Sequence, residues 1–592
     1  MKKILIILLM LTMVFSLVAC DGLETTDALT TIETTTEAPT TIEPTTDVPS
    51  SEAPTTIEAT TEEPTTEAPT TEDPTTEVPT TEEPTTEVPT TEDPTTEVPT
   101  TEEPTTEVPT TEEHTTEEPT TEVPTTEEPT TSNPIVEINL FSVNDFHGGA
   151  YRGMEMISRI GYYLKNQDDS SIILTNGDML QGSALSNYYH GRVLVDVLND
   201  IGFNGFVIGN HEFDWGIDVV LNYRDGDLEN GELNHPILAA NIVYKDTQEP
   251  LENTVPYIIE EVEGVSVGVI GLIGLVMNSI AVSRTENIEF LDPVEVAAQY
   301  ARDLRVNHDV DVVVVYVHEG SYFNYRYANL SGLERIDAVF NGHTHQNEAS
   351  YVSRDGLDMP YAQMNNYNTS LVHIQLIYDK SFGGLVSFNV YGINNSVLST
   401  NDSDIDLILS NYETDEVYQS YISEVLTVAQ GNFGRYDLVQ WGSSVIRDYV
   451  GADIGATNAG GFRVSMYMGD VTMGDMITIY PFDNVIKTSE MTGQQIQDFY
   501  LEILNGSDDV VFDDGLYYNY TTQRLEINGE PIILDQYYTI AAVDYIFDQT
   551  KYDFIEGINI QQTIHFMRGL LVEDLRNTGG SFNPSNGSNY ID

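Results

Sequence analysis

The chain has 592 residues and a formal net charge of -73, from 96 Asp and Glu against 23 Lys and Arg. That excess argues against tight binding of polymeric nucleic acid, whose phosphates demand clustered Lys and Arg. A single cysteine excludes a disulfide framework in the folded part.

Lys2 and Lys3 precede an apolar run from Ile4 to Val18, shorter than a membrane span and typical of a signal-peptide core. Leu17-Val18-Ala19-Cys20 resembles a bacterial lipoprotein signal. The resemblance implies a signal peptide over 1–19, lipid on the sulfur of Cys20, and anchoring at the extracellular face of the bacterial cell membrane. The alternative is a plain secretory peptide with an incidental Cys. Residues 20–134 then carry a repeat close to TTEEPTTEVP, with 30 acidic residues and no Lys or Arg after Gly22. Without apolar faces and with like charges repelling, this stretch forms no core and is expected to be a disordered stalk. Its prolines and charge favour an extended chain with a reach on the order of 300 Å. Thr density leaves glycosylation open.

The remaining 458 residues are too many for one ordinary core and suit two domains. Five strand-like apolar runs end there in loops rich in Asp, Asn and His. These read Asn144-Asp145-Phe146-His147-Gly148, Asn176-Gly177-Asp178, Gly209-Asn210-His211-Glu212-Phe213-Asp214, Val317-His318-Glu319-Gly320 and Gly342-His343-Thr344-His345. The preceding segments, such as Ile172 to Leu174 and Val312 to Val317, are short and rich in Val and Ile, as buried strands are. Any one such Asp or His is an ordinary turn residue. Five loops in succession supply a mixed carboxylate, amide and imidazole set that suits a pair of transition-metal ions.

At these loops the chain resembles the 5'-nucleotidase family of calcineurin-like metallophosphoesterases, through NDFHG, NGDMLQGS, GNHEFDWG, the isolated His318 and GHTH. Thr457 to Arg463 (TNAGGFR) and Tyr480 to Asn484 (YPFDN) resemble that family's C-terminal nucleotide-binding domain. The resemblance implies an α/β and α+β architecture. A four-layer metallophosphoesterase sandwich would occupy 135–400, a connecting helix 401–428 and an α+β substrate-binding domain 429–592. It places Asp145, His147, Asp178 and His345 on one divalent ion, and Asp178, Asn210, His318 and His343 on the other, with Asp178 bridging. The ions would be Zn or Mn. His211 and Asp214 form the implied catalytic dyad, His211 meeting the transition state and Asp214 orienting it.

For the substrate, the resemblance assigns Asn458 and Arg463 to nucleotide contact and lets Gly460 and Gly461 give close backbone approach. Phe482 and Tyr545 would sandwich the base. Gly460-Gly461 taken alone is a turn, and Tyr545 taken alone a half-buried sheet residue. The chain departs from the pattern after Tyr545, where Asp548-Gln549-Thr550-Lys551 replaces a glycine-rich loop and leaves the ribose-contacting Asp unassigned. It departs again at Met364-Asn365-Asn366, and the upstream phosphate-binding Arg is unassigned, Arg435 being only loosely in register and Arg447 standing where the family has another residue.

The implied activity is metal-dependent hydrolysis of nucleoside 5'-monophosphates at the cell surface, with a nucleotide substrate, no polymeric nucleic acid and no inferable protein partner. The rival within the class is a nucleotide-sugar or 2',3'-cyclic nucleotide phosphodiesterase. The rival of another class is a non-catalytic surface adhesin or binding lipoprotein.

Overall fold

The structure, a computed structural model, describes residues 134–584 except 169, 230, 366–368 and 507–508. The expected signal peptide, Cys20 and the stalk lie outside the described residues. Among those described, no helix is long and apolar enough to cross a membrane.

Alternation along the strand Val312–His318 sets the layering of the first domain. Val313, Val315 and Val317 pack with Ala297, Ala301 and Leu304 of the helix Pro293–Asn307. Val312, Val314 and Tyr316 pack instead with Leu140, Leu174 and Phe206 from a second sheet. Successive side chains of a strand point to opposite faces, so one strand belongs to two cores. Its sheet has six strands, with Val312–His318 parallel to Val265–Ile273 and to Ala338–Phe340. The other sheet has seven, with Ile135–Val143, Ile172–Asn176, Gly205–Val207 and Ile237–Leu238 as consecutive parallel neighbours. Helices Glu155–Lys165 and Arg192–Ile201 bury Ile157, Ile160, Val193 and Leu194 against the outer face of that sheet. The order is helix, sheet, sheet, helix. Parallel strands end at one edge, so the loops after Val143, Asn176, Val207, His318 and Phe340 meet there.

The single connecting helix expected over 401–428 is instead two helices, Ser403–Glu413 and Glu416–Ile422, followed by the strand Val425–Ala429. The physical reason is a second N-cap. Asp415 accepts hydrogen bonds from the N–H groups of Val417 and Tyr418 at 3.0 and 2.8 Å, as Asp402 does for Asp404 and Ile405. Ile405, Leu409 and Tyr418 pack into the first core, whereas Leu426 opens the second.

The second domain is built on a five-stranded sheet in the order Val510–Phe512, Ile454–Asn458, Tyr537–Val543, Val485–Thr492 and Ile558–Phe566. Helices Arg435–Val450, Gly493–Asn505 and Met567–Asn577 cover it, burying Leu438, Ile496, Phe499 and Leu571.

Candidate active site at the strand ends

Five of the non-glycine residues with left-handed backbone are Asp145 (φ 50), His147 (φ 50), Asp178 (φ 54), His343 (φ 70) and His345 (φ 53). Such conformations cost of order 1 to 3 kcal/mol each and concentrate where function demands a fixed geometry. Gly177 and Gly209 permit the crowding beneath them. A Cβ on Gly177 would lie 2.3 Å from His318 Nδ1, and one on Gly209 would lie 2.4 Å from Asp178 Oδ1.

The structure gathers the seven expected ligands into two groups. In the first, His345 Nε2 lies 3.2 Å from Asp145 Oδ1 and 3.1 Å from His147 Nε2. In the second, His318 Nε2 lies 3.1 Å from Asp178 Oδ2 and 3.1 Å from Asn210 Oδ1, and His343 Nδ1 lies 2.8 Å from that same amide oxygen. Asp178 stands between them, its Oδ2 also 4.0 Å from His147 Nε2. The Nδ1 of His318 meets the Asn176 carbonyl at 2.8 Å, which turns Nε2 toward the cluster, as an outer-shell partner does for a metal-bound imidazole.

The charge of this cluster fits a pair of divalent cations. Burial alone would push the Asp178 carboxyl up, but the facing His318, His211 and His147 hold it well below the ordinary carboxylate range. Burial keeps the His147 ring well below its ordinary range and brings His343 down to about 4, so both rings present lone pairs. His147 Nδ1 is buried without a hydrogen-bond partner among the described residues. Two buried carboxylates, four converging imidazoles and one amide oxygen form a donor set suited to divalent metal ions.

His211 approaches the same centre, within ligand range of His147 and Asp178. Its backbone N–H donates to Asp178 Oδ1 at 2.8 Å, and its Nδ1 lies 2.7 Å from Asp214 Oδ2. Burial lowers the proton affinity of the ring, and the nearby Asp214 and Asp178 reverse this, leaving its pKa raised.

A cavity of about 230 Å³ joins this centre to the second domain. Asp178, Asn210, His211, Asp214, His343 and His345 border it from one side, and Asn458, Gly460, Gly461, Arg463, Phe482 and Tyr545 from the other. The Phe482 ring stacks on His211 with centroids 5.7 Å apart, and the Arg463 guanidinium carbon lies 5.6 Å from the Phe482 centroid and 5.8 Å from that of Tyr151. Gly461 allows the loop to pass Tyr480, whose ring would be 2.8 Å from an added Cβ. Tyr545 donates its hydroxyl hydrogen to the Asn278 carbonyl at 3.2 Å, tying the second domain to a first-domain loop.

Neither upstream arginine borders the cavity. Arg435 donates to the carbonyls of Ala459 and Phe462 behind the loop, and Arg447 pairs with Asp513 and Asp514. The departing segment at Met364 docks on Asn144, whose Oδ1 accepts the Met364 N–H at 3.1 Å.

Sequence reasoning missed Glu212 and Arg284. The buried Glu212 carboxylate accepts hydrogen bonds from the N–H groups of Asp178, Met179, Leu180 and Gly209, at 2.8, 2.9, 3.3 and 2.8 Å. It thereby clamps two ligand loops together. Its position between His211 and Phe213, a carboxylate beside an apolar residue, was the available signal. Arg284 borders the cavity from a first-domain turn with no motif around it.

Residues 139–347 match the family model for calcineurin-like phosphoesterases, and residues 416–554 match that for the 5'-nucleotidase C-terminal domain. The chain is 28% identical to an endonuclease of Bacillus subtilis over 64% of its own length and 33% of that protein. It is 24% identical to a cell wall protein of Listeria monocytogenes over 70% of its length and 63% of that protein. It thus spans a third and somewhat under two thirds of these two relatives. In fold it is similar to the crystal structure of a 5'-nucleotidase precursor from Thermus thermophilus, with a TM-score of 0.62, 17% identity, and coverage of 76% of this chain and 97% of that one.

Proposed function

The chain belongs to the 5'-nucleotidase family of calcineurin-like metallophosphoesterases, and from that premise we propose that it is a metal-dependent hydrolase releasing phosphate from nucleoside 5'-monophosphates at the cell surface. The observation that carries the reading is one cavity bordered both by the Asp, Asn and His cluster and by Arg463, Phe482 and Tyr545. Phosphoryl chemistry and an aromatic base platform share that space.

Two divalent cations held by the seven ligands would neutralise phosphoryl oxygens and lower the pKa of an attacking water. His211 is fixed through Nδ1 by Asp214, leaving Nε2 to donate to a phosphoryl oxygen or to the departing 5'-oxygen. Arg463 adds positive charge beside Phe482, where a nucleotide phosphate and base would both fall within its reach. Asn458, Gly460 and Gly461 border the same cavity and would lie along the sugar.

Phosphate release from a panel of nucleoside monophosphates, after chelation and after readdition of Zn or Mn, tests the reading. Metal-restored hydrolysis is expected. Failure to hydrolyse any nucleoside monophosphate with metal restored would overturn it.

The surface location rests on the apolar run before Cys20 and is supported by the cell wall relative. Detergent phase partitioning of the full chain and of Cys20→Ser separates the cases. Lipidation sends only the former to the detergent phase, and equal aqueous partitioning would remove the anchor.

A further inference from the structure

Five side chains from the two domains form a closed circle of ring contacts beside the ligand cluster. The Tyr151 ring stands edge-on to His147, with centroids 5.4 Å apart. His147 meets His211 edge-on at 5.0 Å, and His211 stacks on Phe482 at 5.7 Å. The guanidinium carbon of Arg463, 5.6 Å from the Phe482 centroid and 5.8 Å from that of Tyr151, completes the circle. Tyr151, His147 and His211 come from the first domain, and Phe482 and Arg463 from the second.

Arg463 has little else to hold it. Among the described residues its guanidinium forms no ion pair, and its one hydrogen bond runs 3.5 Å to the Gly460 carbonyl. A long, flexible side chain so weakly tied would swing in the cavity, and aromatic rings are the surfaces on which a planar guanidinium settles. Its charge nevertheless acts on both His211 and Asp214, so it stays close to the reacting centre. No strand end or motif marks Tyr151, which lies just past the turn His147–Gly149.

We propose that Tyr151 is a positioning residue for Arg463: together with Phe482 its ring fixes the guanidinium where the phosphate and the base of a nucleotide meet. The first domain thereby orients a substrate contact supplied by the second. The proposal rests on the hydrolase reading. Tyr151 touches no substrate atom and acts only through Arg463. A nucleotide, whose base holds it on Phe482, therefore depends on Tyr151, whereas a base-free ester seated on the metal cluster does not.

The test is a double-substitution cycle on metal-loaded protein, with uridine monophosphate and glycerol phosphate as substrates. Tyr151→Leu is expected to lose about tenfold in kcat/KM on the nucleotide, as for a partly desolvated cation–ring contact, and to stay within about twofold on glycerol phosphate. Tyr151→Phe, which keeps the ring, should stay within about twofold on both. In an Arg463→Met background Tyr151→Leu should cost less than about twofold, because the group it positions is gone. Losses that multiply, equal losses on both substrates, no loss in Tyr151→Leu or no recovery in Tyr151→Phe would overturn the proposal. So would a loss of metal from Tyr151→Leu, since the ring also lies edge-on to His345 at 6.0 Å and would then serve the ligands instead. Tyr151→Met repeats the measurement should Tyr151→Leu fail to fold. Calorimetric binding of the non-hydrolysable phosphonate analogue of uridine monophosphate reads the same cycle without turnover. Coupled losses of affinity in a protein that hydrolyses neither substrate would sustain the role of Tyr151 and sink the functional reading.

Discussion

His211 Nδ1 lies 2.7 Å from Asp214 Oδ2, a contact that spans three residues and that, in the proposed reaction, leaves the other ring nitrogen for the substrate. The ring is held by Asp214 and by its own backbone bond to Asp178. His211→Ala is therefore expected to retain its metals and lose about 10²-fold or more in kcat. Asp214→Asn keeps the ring but weakens its orientation and charge support, so its loss is smaller. Kinetics together with metal analysis of both variants decide the matter, and unchanged turnover in His211→Ala would remove the dyad.

Asp178 contacts both ligand groups, whereas His345 and His318 each belong to one. Asp178→Asn is expected to reduce the content of both metals. His345→Ala or His318→Ala should reduce mainly one. Elemental analysis after saturation and desalting measures this, and less than one metal equivalent in wild-type protein would defeat a dinuclear site.

Glu212 holds four backbone N–H groups that no neutral amide could satisfy with both of its ends. Glu212→Gln turns one acceptor into a donor facing donors, a buried mismatch worth about 1 to 3 kcal/mol. Lower thermal stability and weaker metal retention are expected together. A variant with wild-type melting and wild-type metal content would show that the two loops hold their positions without this clamp.

The ligand loops were legible because parallel strands impose a common edge and because Asp, Asn and His recur at each strand end. The same logic could not find Arg284. It lies on a turn, Val282–Arg284, whose position follows from packing against the second domain rather than from strand periodicity. The connecting helix expected over 401–428 is interrupted for a local reason: Asp415 caps a new helix, Glu416–Ile422, instead of continuing the old one. Asp509 and Asp544 both border the cavity, and neither sits where the family pattern puts its Asp.

His235 provides a pH test away from the metals. The side chain is buried with Nε2 unpartnered among the described residues, and burial together with the charge of Arg224 holds its pKa at about 4. In the unfolded chain the ring has its ordinary pKa near 6.5. Between those values the unfolded state binds more protons, so stability falls as pH drops from about 6.5 to about 4, by up to roughly 1.4 kcal/mol per pH unit. His235→Phe has no proton to take up and is expected to flatten that part of the curve. Chemical denaturation of both proteins at pH 7, 5.5 and 4.5 measures the difference, and parallel curves would mean that His235 does not contribute.

Phe482 stacks on His211 at the border of the two domains and lies beside Arg463, so it joins the proposed phosphoryl site to the proposed base platform. A base resting on that ring would gain roughly 1 to 3 kcal/mol with little regard to its identity. Hydrolysis is therefore expected to favour nucleoside 5'-monophosphates over glycerol phosphate by about 10- to 100-fold in kcat/KM. Phe482→Ala should shrink that preference mainly by slowing the nucleotides. The base-free ester calls only on the metal cluster and His211, so it should change less; any loss common to both substrates reports disturbance of His211 by the missing ring. Parallel kinetics on the two substrate types separate these effects. Equal efficiency of the wild-type enzyme on both, with no effect of Phe482→Ala on either, would mean that the second domain does not read nucleosides.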